Sequence, residues 1–110
     1  MRKIALTAAL LLVLPTTAKS EVDSQLIHNA CASMSSYAET VMNGYQNGVP
    51  MRLAMEQAEI HKNVPYIREI VIDAYKQEQF GSKKYKNNEV IRFGNVWYQR
   101  CLSELGSTQK

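Results

Sequence analysis

Cys31 and Cys101 are the only cysteines of this chain, and each falls on a run of apolar residues with helical spacing. From Ser24 to Gln46 the apolar positions Ile27, Cys31, Met34, Ala38, Val41 and Tyr45 recur at intervals of 4, 3, 4, 3 and 4. That spacing traces one stripe down an α-helix, and Ala30, Tyr37 and Met42 widen it to a core-facing face. Near the other end Val90, Phe93, Trp97 and Cys101 repeat at 3, 4 and 4. A bridge between the two stripes is natural only if the first and last helices lie side by side and antiparallel. It would close a loop of about 70 residues, for which chain entropy gives roughly 4 kcal/mol. A redox pair or a metal site is the alternative use of two cysteines. The chain has no C-x-x-C, and His28-x-x-Cys31 alone is too little for zinc.

Between the stripes, punctuation divides the chain. Asp23 or Ser24 can cap the first helix and Asn47-Gly48 can stop it. Pro50 sits near the start of a second segment, in which Met51, Ala54, Met55 and Ala58 recur at helical spacing. His61-Lys62-Asn63 reads as a connection, and Pro65 opens a third segment with a stripe of Ile67, Ile70, Val71, Ala74 and Tyr75. Ile70-Val71-Ile72 alone would fit a buried strand, but the interval from Pro65 to Gly81 favours a helix on length. Ser82 can cap the last helix, in which Gly94 marks a close backbone approach. The expectation is an all-α, compact four-helix domain over residues 21–105, stapled between its first and last helices, with a frayed tail over 106–110.

The first twenty residues read as an address. Arg2 and Lys3 precede an apolar stretch from Ile4 to Leu14, and small residues follow at Ala18 and Ser20. This is the layout of a secretory signal peptide, with cleavage expected after Ala18 or Ser20, and the stretch is shorter than the roughly 20 residues of a spanning helix. Removal of residues 1–20 takes Arg2, Lys3 and Lys19 with it and leaves ten basic residues against ten acidic ones. Cleavage after Ala18 would leave Lys19 and a charge of +1, so the formal charge of +3 belongs mainly to the targeting segment. A nucleic-acid partner loses its electrostatic argument, and no stable membrane anchor is expected. An exported chain with an even pair of cysteines is expected to carry them as a structural disulfide in the periplasm.

Chemistry-bearing residues are sparse. His28 and His61 belong to no H-E-x-x-H or His–Cys zinc pattern, and a Cys–His nucleophile needs a thiol that the bridge would consume. Glu56 with Glu59, and Glu69 with Asp73, share helical faces, but Arg52 and Lys76 stand at salt-bridge spacing and favour a solvated surface. Met34, Met42, Met51 and Met55 could form a thioether set for Cu(I), yet all four fall on core stripes, where Met packs as an adaptable apolar residue. No catalytic residue, metal or cofactor is expected. The local charge run Ser82-Lys83-Lys84-Tyr85-Lys86 carries an aromatic at its centre and puts cations at the end of a helix that disfavours them. Lys83, Lys84, Tyr85 and Lys86, with Tyr66, are the candidate partner-binding residues, since exposed Tyr is a good contact residue.

Cys31, the turn Gln46-Asn47-Gly48-Val49, the segment Ile70 to Tyr75 and the series Phe93, Tyr98, Cys101 resemble features of small exported two-cysteine helical proteins of gammaproteobacteria and their prophages. The architecture also looks like periplasmic immunity and exclusion proteins that block a cell-wall enzyme. It looks, too, like acid-activated periplasmic chaperones, although the cysteines here stand wider apart than in those. The resemblance implies a compact periplasmic domain; with the Lys–Tyr run and no catalytic set, the expected function is that of a non-enzymatic periplasmic protein-binding module of inhibitor or immunity type whose partner is another periplasmic or envelope protein. The alternative is an acid-stress chaperone, in which protonation of ten carboxylates would leave the domain strongly cationic and self-repelling.

Overall fold

The computed structural model describes residues 16–107, with side chains from Ser24 to Gly106. The expected signal segment up to residue 15 lies outside the described residues. Four helices follow in order: α1 (Thr16–Gln46), α2 (Met51–Ile60), α3 (Ile67–Ala74) and α4 (Lys83–Ser107). Helix α1 begins upstream of the expected cap, so Asp23 and Ser24 lie inside it and the expected cleavage positions fall on its first turns. At the other end α4 continues through Ser107, past the expected start of the tail.

Helices α1 and α4 form an antiparallel pair held along its whole length. Cys31 and Cys101 are joined as a disulfide, with Cα atoms 5.4 Å apart. About one turn further along α1 and two turns back along α4, the Ser35 hydroxyl donates to the Gly94 carbonyl at 2.9 Å. There the absence of a side chain on Gly94 lets the helices close up, because a Cβ would stand 2.5 Å from the Glu39 Cγ. At the far end the Lys86 ammonium donates to the Gln46 carbonyl, one of the orphan acceptors at the end of α1. Helix α3 lies over one side of this pair, and α2 packs on α3 and the flank of α1. Their shared core contains Met34, Val41, Met42, Ile67, Ile70, Val71, Phe93 and Trp97, with Ala38, Ala54, Ala58 and Ala74 where backbones approach. The predicted stripes of α1 and α4 are the buried faces, and both cysteines are within them.

The turn after α1 has the expected chemistry. Gly48 adopts φ +92°, its N–H donates to the Tyr45 carbonyl at 3.2 Å, and the Val49 N–H donates to the Gly44 carbonyl at 2.8 Å. This is a Schellman closure, and Val49 folds back so that its side chain sits where a Cβ on Gly44 would meet it at 3.3 Å. Gly48→Ala is expected to lower stability by about 1 kcal/mol, since L-residues are strained at this φ; chemical denaturation measures it. Pro50 then serves as the N-cap of α2, its carbonyl accepting from Leu53 and Ala54.

Two expectations need correction. The third helix occupies only Ile67–Ala74, not the interval from Pro65 to Gly81. Its backbone beyond Tyr75 is captured by side chains of α1: Gln46, itself buried, donates to the Glu78 carbonyl at 2.7 Å and accepts from the Phe80 N–H at 2.9 Å. The Tyr45 hydroxyl donates to the Gln77 carbonyl, and Gln79 donates to the Tyr45 carbonyl at 2.6 Å. These long-range bonds hold residues 77–80 as an extended strap across the end of α1. The methionines also divide: Met34 and Met42 are buried, whereas Met51 is exposed and Met55 only half-buried. The short α2 turns Ala54 and Ala58 inward, leaving its longer apolar side chains at the rim.

Candidate partner-binding surface

The run Ser82–Lys86 forms the first turn of α4, and its geometry is built by capping. The Ser82 hydroxyl accepts from the Tyr85 N–H at 3.1 Å, and the Ser82 carbonyl accepts from the Lys86 N–H at 3.0 Å. Helical geometry separates the side chains. Lys86 turns inward to the end of α1, while Lys83, Lys84 and Tyr85 are exposed. Tyr85 is 57% exposed, and its ring stands 6.1 Å from that of Phe80 on the adjoining strap. The result is an aromatic pair next to two exposed lysines, on a backbone fixed from both sides. Lys86 is thus part of the framework of this surface.

Tyr66 does not join it. Its ring stands 6.4 Å from that of Trp97. Trp97 lies twelve residues beyond Tyr85 on the same helix, about 18 Å along the axis. Tyr66 is the one non-glycine residue at positive φ among the described residues, at +61°, where it forms the N-cap of α3. A hydrogen bond to Glu104, the negative charge of that carboxylate, slight desolvation and the charge of Glu69 all push its phenol above the ordinary tyrosine range. Nothing in the local sequence marks residue 66 for the left-handed region, which favours Gly and Asn.

Beneath Tyr66, Trp97 is 1% exposed and donates from its indole nitrogen to the Asp73 carboxylate at 3.1 Å. The Arg100 guanidinium lies over its ring, 4.1 Å from the centroid. Asp73 is therefore committed to Trp97 and to Gln77, which donates to it at 3.1 Å, in place of the expected surface pairing with Lys76. Glu69, its expected companion carboxylate, is exposed. Of the other pair, Glu56 is bridged to Arg52 and Glu59 to Arg68, each at 2.8 Å, so these carboxylates are engaged at the surface as their spacing implies. Sequence reasoning missed the buried Glu89, whose carboxylate is held by Arg92 through two guanidinium contacts, the Nε one at 2.8 Å. The bond to Glu89 drives the Arg92 guanidinium further above its ordinary range.

His28 and His61 are exposed and far from any third ligand. The Nδ1 of His28 and the Tyr98 hydroxyl share a hydrogen bond of 2.8 Å, and His61 stacks obliquely on Tyr37 with ring centroids 5.6 Å apart. No three His, Cys, Asp or Glu converge as a metal set among the described residues. Both thiols are consumed by the bridge. A partly enclosed cleft of about 310 Å3 lies between α1 and α2, lined by Tyr37, Val41, Gly44, Val49, Ala54 and Tyr75 among others, with no acidic, basic or histidine side chain in its lining. A disulfide of this kind forms and persists in an oxidising compartment outside the cytoplasm, and no described helix is long and apolar enough to cross a membrane. No family model, curated protein or solved structure matches the chain.

Proposed function

We propose that the processed chain is a non-enzymatic periplasmic protein-binding module of inhibitor or immunity type, acting on another envelope protein through Lys83, Lys84 and Tyr85. The observation that carries this reading is the exposed Tyr85 directly after two exposed lysines, on a turn whose backbone is fixed by Ser82, Lys86 and the Gln46 strap. Preorganisation matters because ordering a loop or side chain on binding costs about 0.5–1.5 kcal/mol per immobilised group. An aromatic with flanking cations supplies contact area, and steering toward an acidic surface. The bridge serves the same end, holding α4 against α1 so that this turn keeps its place.

The test is a triple substitution of Lys83, Lys84 and Tyr85 to alanine. Since all three are exposed, thermal unfolding should match the parent protein, while affinity for the envelope protein that the parent captures in a crosslinked pull-down falls by more than about tenfold. Unchanged capture of the partner by the triple variant excludes this surface.

A further inference from the structure

Charge is distributed very unevenly around the α1–α4 pair. From Ser24 to Gln46 helix α1 has a single charged residue, Glu39, and its stem lies against Gly94 in the seam with α4. On α4, Glu89 and Arg92 pair toward Gln77 of the strap, and Arg100 covers Trp97 beside α3. Beyond the Lys83–Lys86 turn, and with Glu104 held against Tyr66, the charged side chains of the two helices from Ser24 on are therefore in the seam or on the side that α3 covers. The opposite side of the pair, away from α3, presents Ala32, Ser36 and Asn43 from α1, the last at the rim of the α1–α2 cleft, and Ile91, Asn95 and Leu102 from α4. Ile91 is 56% exposed and Leu102 38%. In a chain that is 21% charged, an uncharged two-helix face with protruding aliphatics has the composition of an interface core.

We propose that this face is a self-association surface, closed by a second copy of the same chain about a two-fold axis. Three observations select a second copy. Beyond Lys84 at its end, the face meets its own image without like-charge repulsion, as an isologous contact requires. The shape also fits itself. Ala32, Ser33, Ser36, Tyr37 and Thr40 line a shallow depression of about 410 Å3 on α1, while Ile91 projects from α4. The disulfide and the Ser35–Gly94 bond set the heights of these features. They place Ser36 and Thr40 level with the turn of α4 that bears Ile91. A two-fold axis parallel to the helices lays each α1 on the α4 of the second copy at the same height, and the depression of one copy then receives Ile91 of the other. Finally, the area suffices. Gln25 to Asn43 spans about 27 Å, and two helices about 10 Å apart give a face about 20 Å wide, roughly 540 Å2 per copy; the total just clears the ~1,000 Å2 of a specific interface. The four helices α1 and α4 of two copies would form a central bundle, with each Lys83–Tyr85 turn left at an end and free for a partner.

Sedimentation of the disulfide-bonded protein tests this. The expected result is a reversible monomer–dimer equilibrium with a dissociation constant in the micromolar range, as expected for a small interface. Ile91→Lys and Ser36→Arg, both at exposed positions, should each raise that constant at least about tenfold with an unchanged melting temperature. Lysine or arginine at these points would put a cation on the uncharged face of each copy. A parent protein that sediments only as a monomer at ~100 μM overturns the proposal, and so does a dimer indifferent to both substitutions. Capture of the envelope partner is a separate readout that depends on Lys83, Lys84 and Tyr85, so failure of either idea leaves the other standing.

Discussion

Replacing Cys31 and Cys101 together by alanine is expected to lower stability by roughly 4 kcal/mol, and the melting temperature by about 15–30 °C for a domain of this size. The dominant effect is in the unfolded chain, where the bridge restricts a loop spanning almost the whole folded region. A domain of about 90 residues has a total stability of only about 5–13 kcal/mol, so the loss removes a large share. Alanine is the right replacement because both positions are buried among apolar neighbours, where a serine hydroxyl would add an unpaired polar group. The same burial gives a kinetic signature. Sulfurs that are 0% and 2% exposed are closed to attack by an external thiol until the α1–α4 pair opens. Reductant should therefore act on the native protein at the rate of that opening and reach a plateau as thiol concentration rises. A melting temperature within a few degrees of the parent would show that α1 and α4 hold together without the bridge.

Trp97→Ala should cost about 3–5 kcal/mol, the range for emptying a buried aromatic site. Trp97 is the largest fully buried side chain, and three side chains rest on it at once. Its indole N–H satisfies Asp73 of α3, its ring supports Tyr66 at the entry to α3, and Arg100 lies over its face. Loss of the ring opens a cavity between α3 and α4, strips a partner from Asp73 and leaves Tyr66 in a left-handed conformation with less to hold it there. Trp97→Phe separates these contributions. It keeps most of the volume and removes the donor, so its cost should be near 1–2 kcal/mol, about that of one part-buried hydrogen bond to a charged group. Equilibrium denaturation of the two variants reads the difference. Equal losses would mean that the polar link to Asp73, not the packing, dominates at this site.

The sequence carried the long helices well and the short ones less well, for a physical reason. A stripe such as Ile27, Cys31, Met34, Ala38 and Val41 repeats over enough turns for periodicity alone to identify both the helix and its buried face. Ser82, Gly48 and Gly94 act through local geometry, so their roles as cap, stop and close approach were also legible. The end of α3 was not. Residues 75–80 have no local breaker before Gly81, and what stops the helix is Gln46, more than thirty residues away, competing for its backbone. Side-chain direction decides the remaining differences. Lys86 belongs to the charge run by sequence, yet one position on the helix turns it inward to cap α1. Asp73 looked like half of a surface pair and is instead the acceptor for a buried indole. The scarcity of charge along α1 was plain in the sequence, but its meaning depends on knowing which side α2 and α3 leave uncovered.

The most direct test of a stapled domain that works by binding is a photo-crosslinking amino acid placed at Tyr85 in the cells that produce the protein, with Gln99 on a remote, exposed part of α4 as the control position. The account predicts one stoichiometric adduct with a single envelope protein from position 85, lost when Lys83 and Lys84 are also replaced, and none from position 99. The same diffuse set of adducts from both positions, or no adduct from position 85, would contradict it.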